Sequence, residues 1–270
     1  MSSRIASFLC LLGIAVSAWS AETNPARQIT VGPNDTIIPH IADGDTWQTT
    51  IVLTNLKNIA VFYGIDFKSD SGQSQTFNIV GTGSVSGLIG IIPVGSTIYI
   101  STAGTSSTLT QGYGRIGYFD RPITQAGVQG VAAGAGGYAI FRRRLPGQPD
   151  QEAVVPIGSP FDERLTIIFD NRNGFLSGVA ILNPTTQFGL LTIIAHDNAG
   201  TLLYTSTEGI SAGEIRAWLV KDHFPALTDK AGTLTFFMNT VDGMSLGLAG
   251  IGLRFNPTGA FTSTFPLRLP

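Results

Sequence analysis

Cysteine is the first scarcity. One, Cys10, occurs in 270 residues, and it lies inside an apolar run at the amino terminus. Disulfides and thiolate metal sites are therefore excluded downstream of it, although an exported chain would be free to form disulfides. Charge is the second scarcity. Only 13% of residues are Asp, Glu, Lys or Arg, the formal net charge is −2, and mean hydropathy is +0.24. So weak a field does not steer a chain to nucleic acid or to an anionic membrane. The local exception, Arg142-Arg143-Arg144, reads as a solvated strand end or linker. A sparsely charged surface does suggest contact with something. Histidine is third: His40, His196 and His223 are scattered, with no His-Glu-x-x-His pair. A nucleophile elbow of the G-x-S-x-G type is also missing, because Gly83-Ser84-Val85-Ser86-Gly87 has its serines in the wrong places.

The amino terminus reads as a processing signal over residues 1–21. Arg4 supplies a positive start, Ile5 to Val16 is an apolar run too short to span a bilayer, and small residues follow at Ala18, Ser20 and Ala21. Cleavage after Ser20 or Ala21 is expected, with no membrane span left in the mature chain. Cys10 follows Phe8-Leu9, which lacks the small residues of a lipid-attachment box. Losing Arg4 with the leader makes the balance 15 basic against 18 acidic residues. The expected location is periplasmic, cell-surface or secreted.

Beyond the leader the chain is rich in strand signals. Thr49 to Asn55, Val61 to Phe67, Ser96 to Ser101, Gly112 to Phe119 and Tyr138 to Arg142 are short, β-branched or aromatic, and bounded by turn formers. So are Leu165 to Phe169, Gly178 to Leu182, Leu190 to His196, Gly232 to Met238 and Leu248 to Phe255. Short strands at this interval predict an all-β sandwich or barrel. One short helix is expected over Ala217 to Phe224, stopped by Pro225.

An internal repeat organises these strands. Trp47 to Asn55 lies over Phe175 to Asn183 at a shift of 128 residues: an aromatic, small polar residues, an alternating strand, then Asn. Ala42-Asp43-Gly44-Asp45 precedes one copy and Asp170-Asn171-Arg172-Asn173-Gly174 the other. Further on, Ile92 to Gly95 matches Ile210 to Gly213, Gly112 to Ile116 matches Gly232 to Phe236, and Tyr138 to Arg142 matches Ile251 to Phe255. Extra residues are expected around Gly81 to Gly90 and Gly130 to Gly137. The sequence thus predicts two tandem immunoglobulin-like β-sandwich modules, over residues 22–145 and 161–270. A Pro-rich connection, 146–160, joins them and holds an edge strand at Glu152 to Val155.

Ile38 to Gly44 with Trp47 and Thr49 to Asn55, Phe169 to Phe175 with Gly178 to Pro184, and the ending Leu253-Arg254-Phe255-Asn256 resemble a repeated β-sandwich module of uncharacterised secreted bacterial proteins. The resemblance implies export and a sandwich fold, and carries no activity and no catalytic residues.

Candidate chemistry is thin. Gly112-Tyr113-Gly114-Arg115-Ile116-Gly117 matches a dinucleotide-binding fingerprint in letters, but the string is strand-like and no helix begins in it. Asp43 with Asp45, and Asp170 with Asn173, gather oxygen atoms of the kind calcium takes; the same residues build turns without metal, and Arg172 opposes a cation. No cofactor is expected beyond that calcium alternative. Trp47, Tyr63, Tyr99, Tyr113, Tyr118, Tyr138 and Trp218 could stack on sugars, with Trp47, Tyr113 and Tyr118 the leading ligand-binding candidates; Trp47 also fits a core anchor, since Phe175 repeats its position.

The expectation is an exported, non-enzymatic structural or adhesive protein. Its partner would be a cell-surface glycan, a protein or another copy of itself, with no nucleic acid. A carbohydrate-binding module is the alternative. A hydrolase whose site assembles only in space is the third reading.

Overall fold

The computed structural model describes residues 35–123, 134–158 and 163–267. The expected amino-terminal leader with Cys10, and residues 130–133 of the second expected insertion, lie outside them. The first half contains β1 (Thr36–Asp43), β2 (Trp47–Asn55), β3 (Val61–Lys68), β4 (Phe77–Ile79), β5 (Gly83–Val85), β6 (Gly87–Ile92), β7 (Thr97–Ser101), β8 (Thr110–Phe119), β9 (Ala135–Arg143) and β10 (Gln151–Pro156). The second contains β11 (Arg164–Asp170), β12 (Leu176–Leu182), β13 (Gly189–Asp197), β14 (Leu202–Ile210), β15 (Ile215–Leu219), helix α1 (Val220–His223), a 3-10 turn at Pro225–Leu227, β16 (Ala231–Asn239), β17 (Ser245–Leu246), β18 (Ala249–Phe255) and β19 (Phe261–Thr264). The protein is all-β, and no helix among the described residues is long and apolar enough to cross a membrane.

In each half two antiparallel sheets face one another. The first half pairs β1-β8-β3-β6 with β10-β9-β2-β7; the second pairs β11-β16-β13-β14 with β15-β12-β18-β19. With the β4–β5 hairpin and the two-residue β17, which pairs with β16, set aside, the two strand orders are the same. The repeat holds residue by residue. Val61 pairs with Ile92 and Gly189 with Ile210; Lys68 pairs with Tyr113 and His196 with Thr233; Thr49 pairs with Phe141 and Ser177 with Arg254.

Alternation sets the cores. In β2, Ile51 and Leu53 turn inward to meet Ile65, Phe67 and Ile116 of the opposite sheet. In the second half, Val179 and Ile181 meet Ile193, Leu234 and Phe236. A third apolar cluster joins the halves. The outer face of the β15-β12-β18-β19 sheet, with Ala180, Leu182 and Ile251, packs on Ile37, Phe141 and Val155 along the β1/β10 side of the first sandwich. The Ile215 N–H donates to the Asp70 carbonyl (2.8 Å) and Ser263 Oγ to the Val154 carbonyl (2.6 Å) across this joint.

Two expectations are corrected, and a third, the edge strand, is met. The helix covers only Val220–His223, because Ala217 to Leu219 pair with β12 as β15. Ile215 and Trp218 fall on opposite faces of that strand, and each finds an apolar cluster, the joint for one and the sandwich core for the other. A strand covered on both faces loses its alternation and imitates helical spacing. The stretch Gly81 to Gly90 is not all insertion: Gly87–Ile92 is β6, the counterpart of β14, and the surplus is the β4–β5 hairpin, whose Phe77 and Ile79 enter the core. The edge strand inside the Pro-rich stretch is β10, which pairs with β9 and so completes a sheet of the first sandwich.

Candidate functional site

The two acidic turns are hydrogen-bonded turns of matching design. Thr49 Oγ1 donates to the Ala42 carbonyl (2.9 Å) and accepts from the Ala42 N–H (3.0 Å). Ser177 Oγ does the same with Asp170, 128 residues later in both partners. Asp43 is buried, and its Oδ1 accepts the Gly104 N–H at 2.7 Å. Asp45 (φ 44°) and Asn173 (φ 53°) occupy left-handed positions that Asp and Asn tolerate. The Asp170 carboxylate takes Arg172 at 2.9 Å and Arg254 at 3.2 Å, and the Arg172 hydrogen bond leads in lowering its pKa to about 2. Two guanidinium groups stand where a calcium ion would need room, which corrects the calcium reading of Asp170 and Asn173. Among the described residues no three His, Cys, Asp or Glu side chains converge as metal ligands.

The aromatic candidates are corrected as well. Tyr113 and Tyr118 are each 1% exposed. Tyr118 sits in the first core, its hydroxyl 3.1 Å from Thr36 Oγ1. Tyr113 lies in the joint, where burial pushes its hydroxyl up to about 12. Neither offers a ring face. Trp47 is half-buried against Phe261 (ring centroids 5.1 Å), under the Arg143 guanidinium, and so belongs to the joint. Its repeat partner Phe175 is capped by Arg254 at 3.7 Å.

Of the aromatics proposed to stack on sugars, Tyr99, 68% exposed, and Tyr138, 39% exposed, reach solvent. They stand on the outer face of the β10-β9-β2-β7 sheet. Val52 pairs with Tyr99 on one side and Tyr138 on the other, so the three form a row across three strands. Val52 is only 2% exposed, covered from both flanks. Tyr138 also pairs with Pro156, which extends the row to the fourth strand. Around it lie Thr50 bonded to Ser101 (2.8 Å), Thr54 bonded to Thr97 (2.9 Å), and Val154. The signal was present in the alternation of Ile98-Tyr99-Ile100, where the isoleucines face the core and the tyrosine must face out.

A cavity of about 350 Å³ opens in the joint, lined by Ile37, Pro39, Val155, Ala249, Ile251 and Phe265 among others. Its lining holds no titratable side chain, so it offers no acid or base to activate the Ser263 and Thr264 hydroxyls that also line it. Elsewhere, His223 Nε2 lies 3.0 Å from Glu208 Oε1, and Glu208 also pairs with Arg216 (3.1 Å). The His223 ring is packed on Trp218 and Phe224.

No family model matches the chain, and neither a curated protein nor a solved structure matches it.

Proposed function

We propose that the chain is an exported structural or adhesive protein that works by surface contact, and that the outer face of the β10-β9-β2-β7 sheet makes that contact. One observation carries the reading: Tyr99 and Tyr138, exposed on either side of the covered Val52, form an apolar and uncharged row on the outer face of a regular sheet. Tyrosines gain contact area at low entropic cost and keep a polar tip for hydrogen bonding. The amino-terminal apolar run and the resemblance to secreted sandwich modules support export.

The same row favours carbohydrate as a second reading, because sugar rings stack on exposed aromatic faces and the bordering threonines and serine offer hydroxyl partners. The test is retention of the mature chain, from Glu22 onward, on insoluble polysaccharides and on envelopes of the producing cells. Retention that falls at least tenfold in Tyr99→Ser with Tyr138→Ser supports contact through this face. Release of the bound chain by soluble fragments of one polysaccharide selects the carbohydrate reading. Retention unchanged by both substitutions removes the face from the function.

A further inference from the structure

The joint between the halves has two surfaces, and the duplication supplies each of them twice. One is a sheet face, the outer side of β15-β12-β18-β19. The other is the β1/β10 side of a sandwich, sealed by the bridge between Ile37 and Gly158. The first half carries the counterpart of the face: Val52 answers to Ala180, Tyr138 to Ile251 and Ile140 to Leu253, as the shared pairings require. The second half carries the counterpart of the side, β11 with β19, sealed by the bridge between Thr166 and Leu267. Both unused counterparts expose apolar groups. Tyr99, Tyr138 and Val154 are 68%, 39% and 43% exposed on the face; Ile168 and Leu267 are 54% and 53% exposed on the side.

We infer that the chain assembles head to tail, the β11/β19 side of one copy docking on the Tyr99–Tyr138 face of the next in the manner of the internal joint. This rests on the contact-surface reading above and names the partner as a second copy. Because the face lies on one half and the side on the other, the contact is heterologous, and each added copy presents a new face and a new side, so growth goes on past the dimer, to a ring or a filament. The new joint is weaker than the internal one. Thr262, Thr264 and Arg254 stand where Ala153, Val155 and Phe141 fill the internal contact. The association is therefore reversible and concentration-dependent.

Two single-cysteine forms of the mature chain, Tyr138→Cys and Leu267→Cys, test the geometry; both positions are exposed, and the mature chain has no other cysteine once Cys10 leaves with the leader. Under mild oxidation at high protein concentration, the mixture is expected to form the mixed dimer at several times the yield of either self-linked dimer. The double variant is expected to give a ladder. Sedimentation of the unmodified chain is expected to show mass rising with concentration, abolished by Tyr138→Glu with an unchanged thermal midpoint. Mass independent of concentration, or self-linked dimers exceeding mixed ones, overturns the inference. If the monomeric chain is still retained on envelopes through Tyr99 and Tyr138, the contact-surface reading survives that failure; if assembly is seen without such retention, the inference stands and the adhesive reading falls.

Discussion

Asn55 and Asn183, 128 positions apart, make the same latch in their two sandwiches. Asn55 Nδ2 donates to the carbonyls of Ile59 (2.8 Å) and Ile92 (2.9 Å), while its Oδ1 accepts the Lys57 N–H (2.8 Å). Asn183 Nδ2 donates to Gln187 (2.8 Å) and Ile210 (3.3 Å), and its Oδ1 accepts the Thr185 N–H (3.0 Å). Each of these partners is the repeat counterpart of the other, and Asn55 Nδ2 also reaches the Pro93 carbonyl (3.1 Å). Each amide closes the turn after its strand and ties that turn to the end of the neighbouring β6 or β14. Both residues are buried, at 3% and 0% exposure, so the carbonyls they satisfy have little other recourse.

Asn183→Ala is therefore expected to cost about 2–3 kcal/mol, the loss of several buried hydrogen bonds with their partners left unsatisfied. Asn183→Asp should do no better, since a carboxylate cannot donate and would face two carbonyl oxygens. Urea unfolding of both variants checks this. Asn55→Ala should behave alike in its own half, and an aspartate as stable as the parent would show that the latch is only a turn preference.

Gly112 and Gly232 are a second repeated pair, and their reason is space. A Cβ at Gly112 would fall on the Lys68 carbonyl, and one at Gly232 on the His196 carbonyl, backbone atoms of equivalent residues in the adjacent strand. Gly112→Ala and Gly232→Ala are each expected to destabilise by about 3 kcal/mol or more, because a sheet carbonyl cannot swing aside as a flexible side chain can. Gly178, on β12, meets only ordinary van der Waals contacts, so Gly178→Ala is the control and should shift the denaturation midpoint little. Equal losses at all three positions would mean that the close approach is not the cause.

Much of this was legible in the sequence because the repeat anchors are residues with fixed physical duties. Asn, the left-handed turn positions and a glycine pressed on a carbonyl cannot be exchanged freely, so they survive where core residues have drifted. Strands with one solvent face, such as β13 and β16, were legible from alternation. The joint was not. Ile215, Leu182 and Tyr113 sit on outer faces that another sandwich covers, and nothing local in the sequence distinguishes a covered outer face from a core. The same blindness put Tyr113 and Tyr118 forward as ligand contacts and overlooked the fact that Tyr99 and Tyr138 share one row. Which residues share a row depends on strand order, and strand order is a property of the whole sandwich.

His40 gives the chain a pH dependence of defined sign. Its ring packs edge-on against Phe141 (centroids 5.7 Å), and Nδ1 is shielded from water with no hydrogen-bond partner. Burial lowers its pKa from 6.5 to about 4. In the unfolded chain the imidazole takes a proton below about 6.5, whereas the folded chain resists until about 4. Stability is thus full above the higher value and falls as pH drops through the window between them, by up to about 3 kcal/mol. Asp170 acts lower, since its depressed pKa removes stability only as pH falls from 3.8 toward 2. Urea midpoints measured from pH 7.5 to 4.5 should decline in the parent and flatten in His40→Leu, with the two curves converging at the alkaline end. A parallel decline in the variant would assign the slope to other groups and mean that His40 takes up its proton as readily in the folded chain as in the unfolded one.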